Sequence, residues 1–522
     1  MQLSAFAVVL VLVLVFIGIV LASGRAAANP PAHTLVVAQT TDFASLDPAL
    51  AQGDDAWELE YATCAKLVDY PPRAGYRGTR LEPEVATALP RVSADRLTYT
   101  FTVRKGWRFS NGAPVTAASF ARAFQRAAAP ALASPASAYL RGVRSWWVAG
   151  RSLVVRLNTP APDFPQRLAL PYFCAVPPST PDRQTDDLPS AGPYAVASYQ
   201  PGRSLLLRRN PYYHGARPGR VDAILYRFGA FPSQILLELE RGEVDYGVVD
   251  PSALQLLQTK LKADGMRFHV VRSTTVAYLA LNTSRGIFKD NPQLRRAVNF
   301  ALDRPELAQQ FGAGGAIPTD EYLPPGFPGY EPRHIYPLGG PNLAEARRLA
   351  RGHLRGGKAV FLACRSLDCQ NRALAVAASL KKIGLHVEVD TTLGAGQSTL
   401  ASVRGTRFDL ADIITQPDYG DPYGLVEKLL DGRAIQSVGN TNLAYFSDHR
   451  FDAQIDAAQR LVGESRERAY ARIGLEVART SAPLAAYAVL NARVFVSARV
   501  GCVIYQPVYG LDLGDVCLAR SR

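Results

Sequence analysis

Apolar and polar residues alternate with a period of two between Leu97 and Val103: Leu97, Tyr99, Phe101 and Val103 stand on one side, and Thr98, Thr100 and Thr102 on the other. This pattern predicts an extended strand with one buried face. Arg104-Lys105-Gly106 follows as a turn, Trp107 and Phe109 resume the alternation, and Asn111-Gly112 forms a second turn from residues that tolerate positive φ. A helix then begins with Thr116 as its N-cap. Val115 and Phe120 occupy the two positions of a hydrophobic staple, and Phe124 lies one turn further along the same face.

The same reading extends along the chain. His33–Gln39 and Thr275–Asn282 have the length and apolarity of strands, Val148–Leu157 reads as a hairpin, and the prolines of Pro160–Pro165 predict an extended link. Ile235–Glu240 is a helix end capped by Gly242, and Leu294–Asp303 is a helix with Ala297, Phe300 and Ala301 on one face. From Asn342 a helix runs to Arg355-Gly356-Gly357, followed by a strand (Ala359–Cys364), a helix ended by Gly384 (Gln370–Lys382) and another strand (Leu385–Val389). That succession is one βαβ unit and calls for a parallel sheet. Phe408–Ile414 is a third strand, Phe451–Leu461 and Glu464–Thr480 are helices, and the tail from Val494 returns as short strands. The fold class is therefore α/β, of the mixed α+β kind.

Composition narrows the class. A chain of 522 residues exceeds what one core holds, and its 48% apolar and 20% charged residues are those of a globular protein. The net charge of +13 is compatible with nucleic acid, an anionic membrane or an acidic ligand. However, no Lys/Arg run exceeds two and no nucleic-acid module is present, so the charge reads as background and nucleic acid is not an expected partner. Ala5–Ala22 is an uncharged apolar run leading into Ala26-Ala27-Ala28, which reads as a secretory signal cleaved after Ala28. The run also reaches the lower limit of the roughly 17–25 residues that span a bilayer, so an uncleaved anchor is the alternative. Either way the protein is exported, to the periplasm or the outer face of the cytoplasmic membrane. Six cysteines in an exported chain imply disulfides; spacing leaves the connectivity open, and local pairing expects Cys364 with Cys369, Cys502 with Cys517, and Cys64 with Cys174.

The stretch from Pro83 to Ala117 resembles the signature region of the family 5 (peptide/nickel-type) extracellular solute-binding proteins of ABC importers. Pro83-Glu84-Val85-Ala86 matches its opening, Leu97–Phe101 its strand, Arg104, Gly106 and Phe109 its turn, and Gly112, Pro114, Thr116 and Ala117 its helix entry. Arg96, Asn111 and Ser119 depart from it without altering the strand-turn-helix order. Further matches follow in sequence: Ser45-Leu46-Asp47-Pro48 at the cleft edge, Gly192-Pro193-Tyr194, Arg209-Asn210-Pro211, and Ala301-Leu302-Asp303-Arg304. The resemblance implies a two-lobed periplasmic-binding-protein-like fold with an additional domain, whose cleft closes like a hinge. It divides the chain into a leader (1–28), a discontinuous domain I (29–60, 186–282 and 486–522), an additional domain II (61–185) and a domain III (283–485).

One loop carries the candidate chemistry. Asp418-Tyr419-Gly420-Asp421-Pro422 follows the strand ending at Ile414, and an open α/β sheet presents ligand positions at the carboxyl ends of its strands. In peptide-binding members of the family the first Asp of this motif holds the ligand's α-ammonium, which assigns that role to Asp418, with Tyr419 beside it. The family places a Trp three residues earlier, where this chain has Thr415. Dipeptide-binding relatives clamp the ligand carboxylate with an Arg that corresponds to Arg365, and a guanidinium suits that bidentate task. No catalytic residue, metal ligand or cofactor is expected. Gly352–Ala359 approaches a phosphate-binding loop, but Ala359 lacks the hydroxyl and the element order is reversed, while G-x-S-x-G and H-E-x-x-H are absent. The expected function is capture of a small ligand, an oligopeptide or dipeptide foremost, by a monomer that delivers it to ABC permease subunits. The alternatives are an extracellular ligand sensor without transport and, from another class, a secreted hydrolase.

Overall fold

The computed structural model describes residues 33–247, 268–391 and 401–519. The apolar run Ala5–Ala22 and its cleavage site lie outside the described residues. Among the described residues no helix is long and apolar enough to cross a membrane.

The chain enters through β1 (Thr34–Ala38) and helix α1 (Asp54–Thr63), then builds the additional domain. There β2 (Thr98–Thr102) buries Tyr99 and Phe101 and leaves its threonines half-buried, as the period of two requires. Helix α2 (Ala117–Ala128) starts at Thr116, whose backbone N–H donates to Ser119 Oγ at 3.2 Å; Ser119, where the family has Asp, thus still closes the cap. The hairpin β3 (Val143–Ala149) and β4 (Ser152–Leu157) completes a four-stranded sheet with β2 and Arg91–Val92. The Pro160–Pro165 segment is not extended throughout: Pro165 sits in the first turn of a short helix, Phe164–Arg167, where its missing N–H costs nothing.

The chain then returns to the first lobe through β5 (Tyr194–Gln200), β6 (Ser204–Arg209), β7 (Ala223–Arg227) and helix α3 (Pro232–Arg241). Gly242 ends α3 with φ +71°, a left-handed position that favours glycine. The sheet order is Tyr246–Gly247, β1, β7, β6, β5, with β1 and β7 parallel and the rest of β5 to β7 antiparallel. This lobe and the additional domain share one hydrophobic core, which includes Leu35, Tyr61, Phe101, Phe120, Tyr194 and Tyr509. The Asp47 carboxylate is fully buried and bidentate to Arg126 of α2 (2.8 and 2.6 Å), so the Leu46-Asp47-Pro48 loop fastens the two together.

The second lobe is organised on a six-stranded sheet. Its members in chain order are β8 (Phe268–Leu281), the short strand Ala316–Pro318, β9 (Lys358–Leu362), β10 (His386–Asp390), β11 (Leu410–Thr415) and β12 (Leu484–Phe495). The spatial order is Ala316–Pro318, β12, β8, β11, β9, β10. Parallel pairing of β9 with β10, joined by helix α4 (Leu367–Lys381), is the expected βαβ unit. Along β8, Val276, Tyr278 and Ala280 face one apolar cluster while Ala277, Leu279 and Leu281 face another, so the strand is buried on both sides. The helix opened by Asn342 is shorter than expected: it ends at Ala350, and turns carry the chain to Gly357.

β8 and β12 pair antiparallel from Phe268↔Phe495 to Ala280↔Leu484, with a bulge between Arg272 and Val276. Their far ends reach the first lobe, where Phe495 packs with Ala38 and Ile235, and Tyr246 bridges to Val496. Of the expected boundaries, 486 lies within β12 and 282 one residue past the end of β8. Three disulfides join Cys64 with Cys174, Cys364 with Cys369 and Cys502 with Cys517, which is the local pairing.

Candidate functional site

The loop after β11 leaves the second lobe's sheet, and Gln416, Asp418, Tyr419 and Gly420 each touch the first lobe or the additional domain. Gln416 Nε2 donates to Asp54 Oδ1 of α1 at 2.8 Å and its Oε1 accepts from Thr275 Oγ1 at 3.0 Å. Gly420 N donates to Tyr70 OH at 2.7 Å, and a Cβ there would stand 2.5 Å from the Thr79 carbonyl oxygen, so only glycine fits. Tyr419 is buried; its ring joins the core cluster of the first lobe, and its hydroxyl donates to Asp163 Oδ2 at 3.0 Å.

The two acids of the loop have different surroundings. Asp421 is buried and bidentate to Arg466 (2.8 and 2.9 Å), which also lies 3.8 Å from Asp163. Burial opposes the Arg466 charge, but the Asp421 carboxylate outweighs it and holds the guanidinium firmly protonated. Burial likewise opposes ionisation of Asp163, yet Arg167 and Arg466 prevail and its carboxyl is held below the ordinary range. Asp418 instead faces a cavity of about 460 Å³, within the roughly 300–1,000 Å³ of small-molecule sites. Its Oδ1 meets Lys428 Nζ at 2.6 Å, and its Oδ2 accepts from Tyr139 OH at 2.8 Å. Burial, reinforced by the Asp418 charge, pushes the Tyr139 hydroxyl up, so it remains a donor.

The second lobe and the additional domain furnish the walls. Tyr139, Arg141 and Arg167 come from the additional domain; Asp418, Glu427 and Lys428 come from the loop and from helix α5 (Tyr423–Leu430). Arg141 pairs with Glu427 at 3.2 Å and Arg167 with Asp163 at 2.8 Å. Burial pushes the Glu427 carboxyl up, against the pull of Arg141. Tyr139 stacks on Tyr172 with ring centroids 5.7 Å apart, giving the cavity an aromatic wall despite the family's Trp being Thr415.

Of the four residues singled out in the sequence, the structure brings Asp418 and Tyr419 to this cavity. Thr415 ends β11 opposite Val276 and is half-buried, and Arg365 is exposed in the loop before α4, where its carbonyl accepts from Gln370 Nε2; neither lines the cavity. Sequence reasoning missed Tyr139, Arg141, Arg167, Glu427 and Lys428. The charged pair Glu427-Lys428 within the apolar helix Tyr423–Leu430, with Lys428 ten positions after Asp418, was the available signal for both. Among the described residues, two clusters of His, Cys and acids lie close enough for a metal. In one, Cys64 and Cys174 are joined in a disulfide; in the other, Asp320 already accepts from His334 Nδ1, Ile335 N and Tyr336 N.

Two lobes joined by a crossing strand pair, with a cavity walled by the second lobe and the additional domain, define a ligand-binding protein of the periplasmic type. The model of the bacterial extracellular solute-binding proteins, family 5 (middle) matches residues 80–437, and the chain belongs to that family. It is 28% identical over 455 residues to Protein XP55 of Streptomyces lividans, covering 82% of this chain and 78% of that one. It is 23% identical over 516 residues to the periplasmic oligopeptide-binding protein OppA of Salmonella typhimurium, covering 91% and 92%. Among solved structures, the clavulanic acid biosynthesis oligopeptide binding protein 2 superposes with a TM-score of 0.85 at 25% identity, over 93% of this chain and 95% of that one.

Proposed function

We propose that the protein is the extracytoplasmic capture subunit of an ABC importer: a monomer that encloses a short peptide between its lobes and hands it to membrane permease subunits without transforming it. The observation that carries this reading is the convergence of the second lobe and the additional domain, which shares the first lobe's core, on the cavity at Asp418. In it Asp418 is the contact residue, and Tyr419 seats the loop through Asp163. The peptide class draws support from the Asp418-Tyr419-Gly420-Asp421-Pro422 loop and from relatives named as oligopeptide-binding proteins.

The test is a thermal-shift screen of protein unfolded and refolded to strip ligand, against peptide pools, metal chelates and sugars, with Asp418→Ala in parallel. A ligand that binds only the native state raises the melting temperature by mass action. Peptides shifting the wild type, with the shift lost in the variant, is the expected result. Peptides inert while another class shifts the protein withdraws the peptide assignment.

A further inference from the structure

The Asp418 carboxylate is already served by the chain itself. One oxygen faces the Lys428 ammonium at 2.6 Å and the other takes the Tyr139 hydroxyl at 2.8 Å. A carboxylate paired with a cation attracts a second ammonium far less than a bare one does, and that second cation would also meet the repulsion of the first. The pair is not sealed: the side chains of Lys428 and Asp418 are 25% and 20% exposed, so Lys428 forms part of the wall a ligand would touch. An ammonium has three donors, and among the described residues Asp418 is the side chain recorded as accepting from Lys428. With its side chain 25% exposed, Lys428 can turn a remaining donor to solvent or to an acceptor on a ligand in the cavity.

The rest of the lining agrees. Arg141 is paired with Glu427, Arg167 with Asp163 and Lys428 with Asp418, so no acid of the lining is left bare to attract a cationic ligand. Burial further favours the neutral form of Glu427.

We propose, resting on the peptide-capture reading above, that Lys428 sets the ligand class. By neutralising Asp418 it converts an ammonium anchor into a site for a peptide whose buried end offers hydrogen-bond acceptors and no positive charge, as an N-acylated peptide does. Lys428 is then the specificity-determining residue, donating to the ligand's terminal acyl oxygen while Asp418 holds its ammonium in place.

Calorimetric titration of refolded full-length protein with tri-alanine and N-acetyl-tri-alanine tests this, using the wild type, Lys428→Met, Lys428→Arg and the double variant Lys428→Met/Asp418→Asn. The wild type is expected to bind the acetylated peptide at least as tightly as the free amine. Lys428→Met exposes the Asp418 charge and should move the ratio of the two affinities at least tenfold toward the free amine. Lys428→Arg should keep the wild-type ranking, and the double variant should lose the reversal. Should Lys428→Met fold poorly, Lys428→Gln reads the same ratio. A wild type that prefers the free amine, or a ratio unmoved by removing the Lys428 charge, overturns the proposal while leaving peptide capture standing. Failure of every form to bind either peptide overturns both.

Discussion

Asp418 and Asp421 sit three residues apart on one loop and are both paired with cations, yet they belong to different kinds of region. Asp421 and Arg466 meet through two parallel bonds with side chains 6% and 3% exposed, and Asp163 and Arg167 continue the network. The pairing of Asp418 with Lys428 is a single contact on a cavity wall. Planar, bidentate and sealed geometry commits a charge to holding the structure, whereas a flexible ammonium at a partly wet surface keeps the pair within reach of a ligand. The motif gives both acids equal standing; their surroundings separate the structural one from the one available to a ligand.

The comparison breaks most decisively at Arg466. Arg466→Ala leaves Asp421 buried without a cation, and the expected loss is about 3–5 kcal/mol in denaturant unfolding. A loss no larger than that of a surface pair would show that the network is wetter than its geometry. Glu60 sharpens the contrast, being a sealed acid without a bidentate cation: burial pushes its carboxyl from 4.5 to about 8, with Thr63 Oγ1 donating to it. Because the folded state keeps this proton after the unfolded chain has released it, stability falls by up to about 1.4 kcal/mol per pH unit as pH rises from 4.5 toward 8. Glu60→Gln should flatten that slope in melts across the same range. Tyr139→Phe removes one hydrogen bond to Asp418 and should cost about 1 kcal/mol. Asp418→Asn should have the smallest effect on stability, below about 1 kcal/mol, while changing ligand affinity the most.

Local pattern made much of the fold legible. Period-two alternation places Tyr99 and Phe101 inside, the staple at Val115 and Phe120 opens α2, and apolar runs bounded by turns give β9, α4 and β10 nearly at their true ends. β12 was legible only as a tail from Val494, because Leu484–Val489 is buried without interruption and such a strand shows no alternation. The site was half legible. Asp418 lies on a local motif, but Tyr139 is 279 residues away in sequence and reaches it only through the packing of the additional domain. No local pattern encodes that approach.

Tyr419 has a kinetic consequence. It is carried by the second lobe's loop, yet its ring lies within the core shared by the first lobe and the additional domain and its hydroxyl is tied to Asp163. Separating the lobes has to draw that ring out into water, an uphill step that belongs to the protein and not to the guest. Where withdrawal of the ring is slower than dissociation of the guest itself, chemically different guests are expected to leave at similar rates even where their affinities differ.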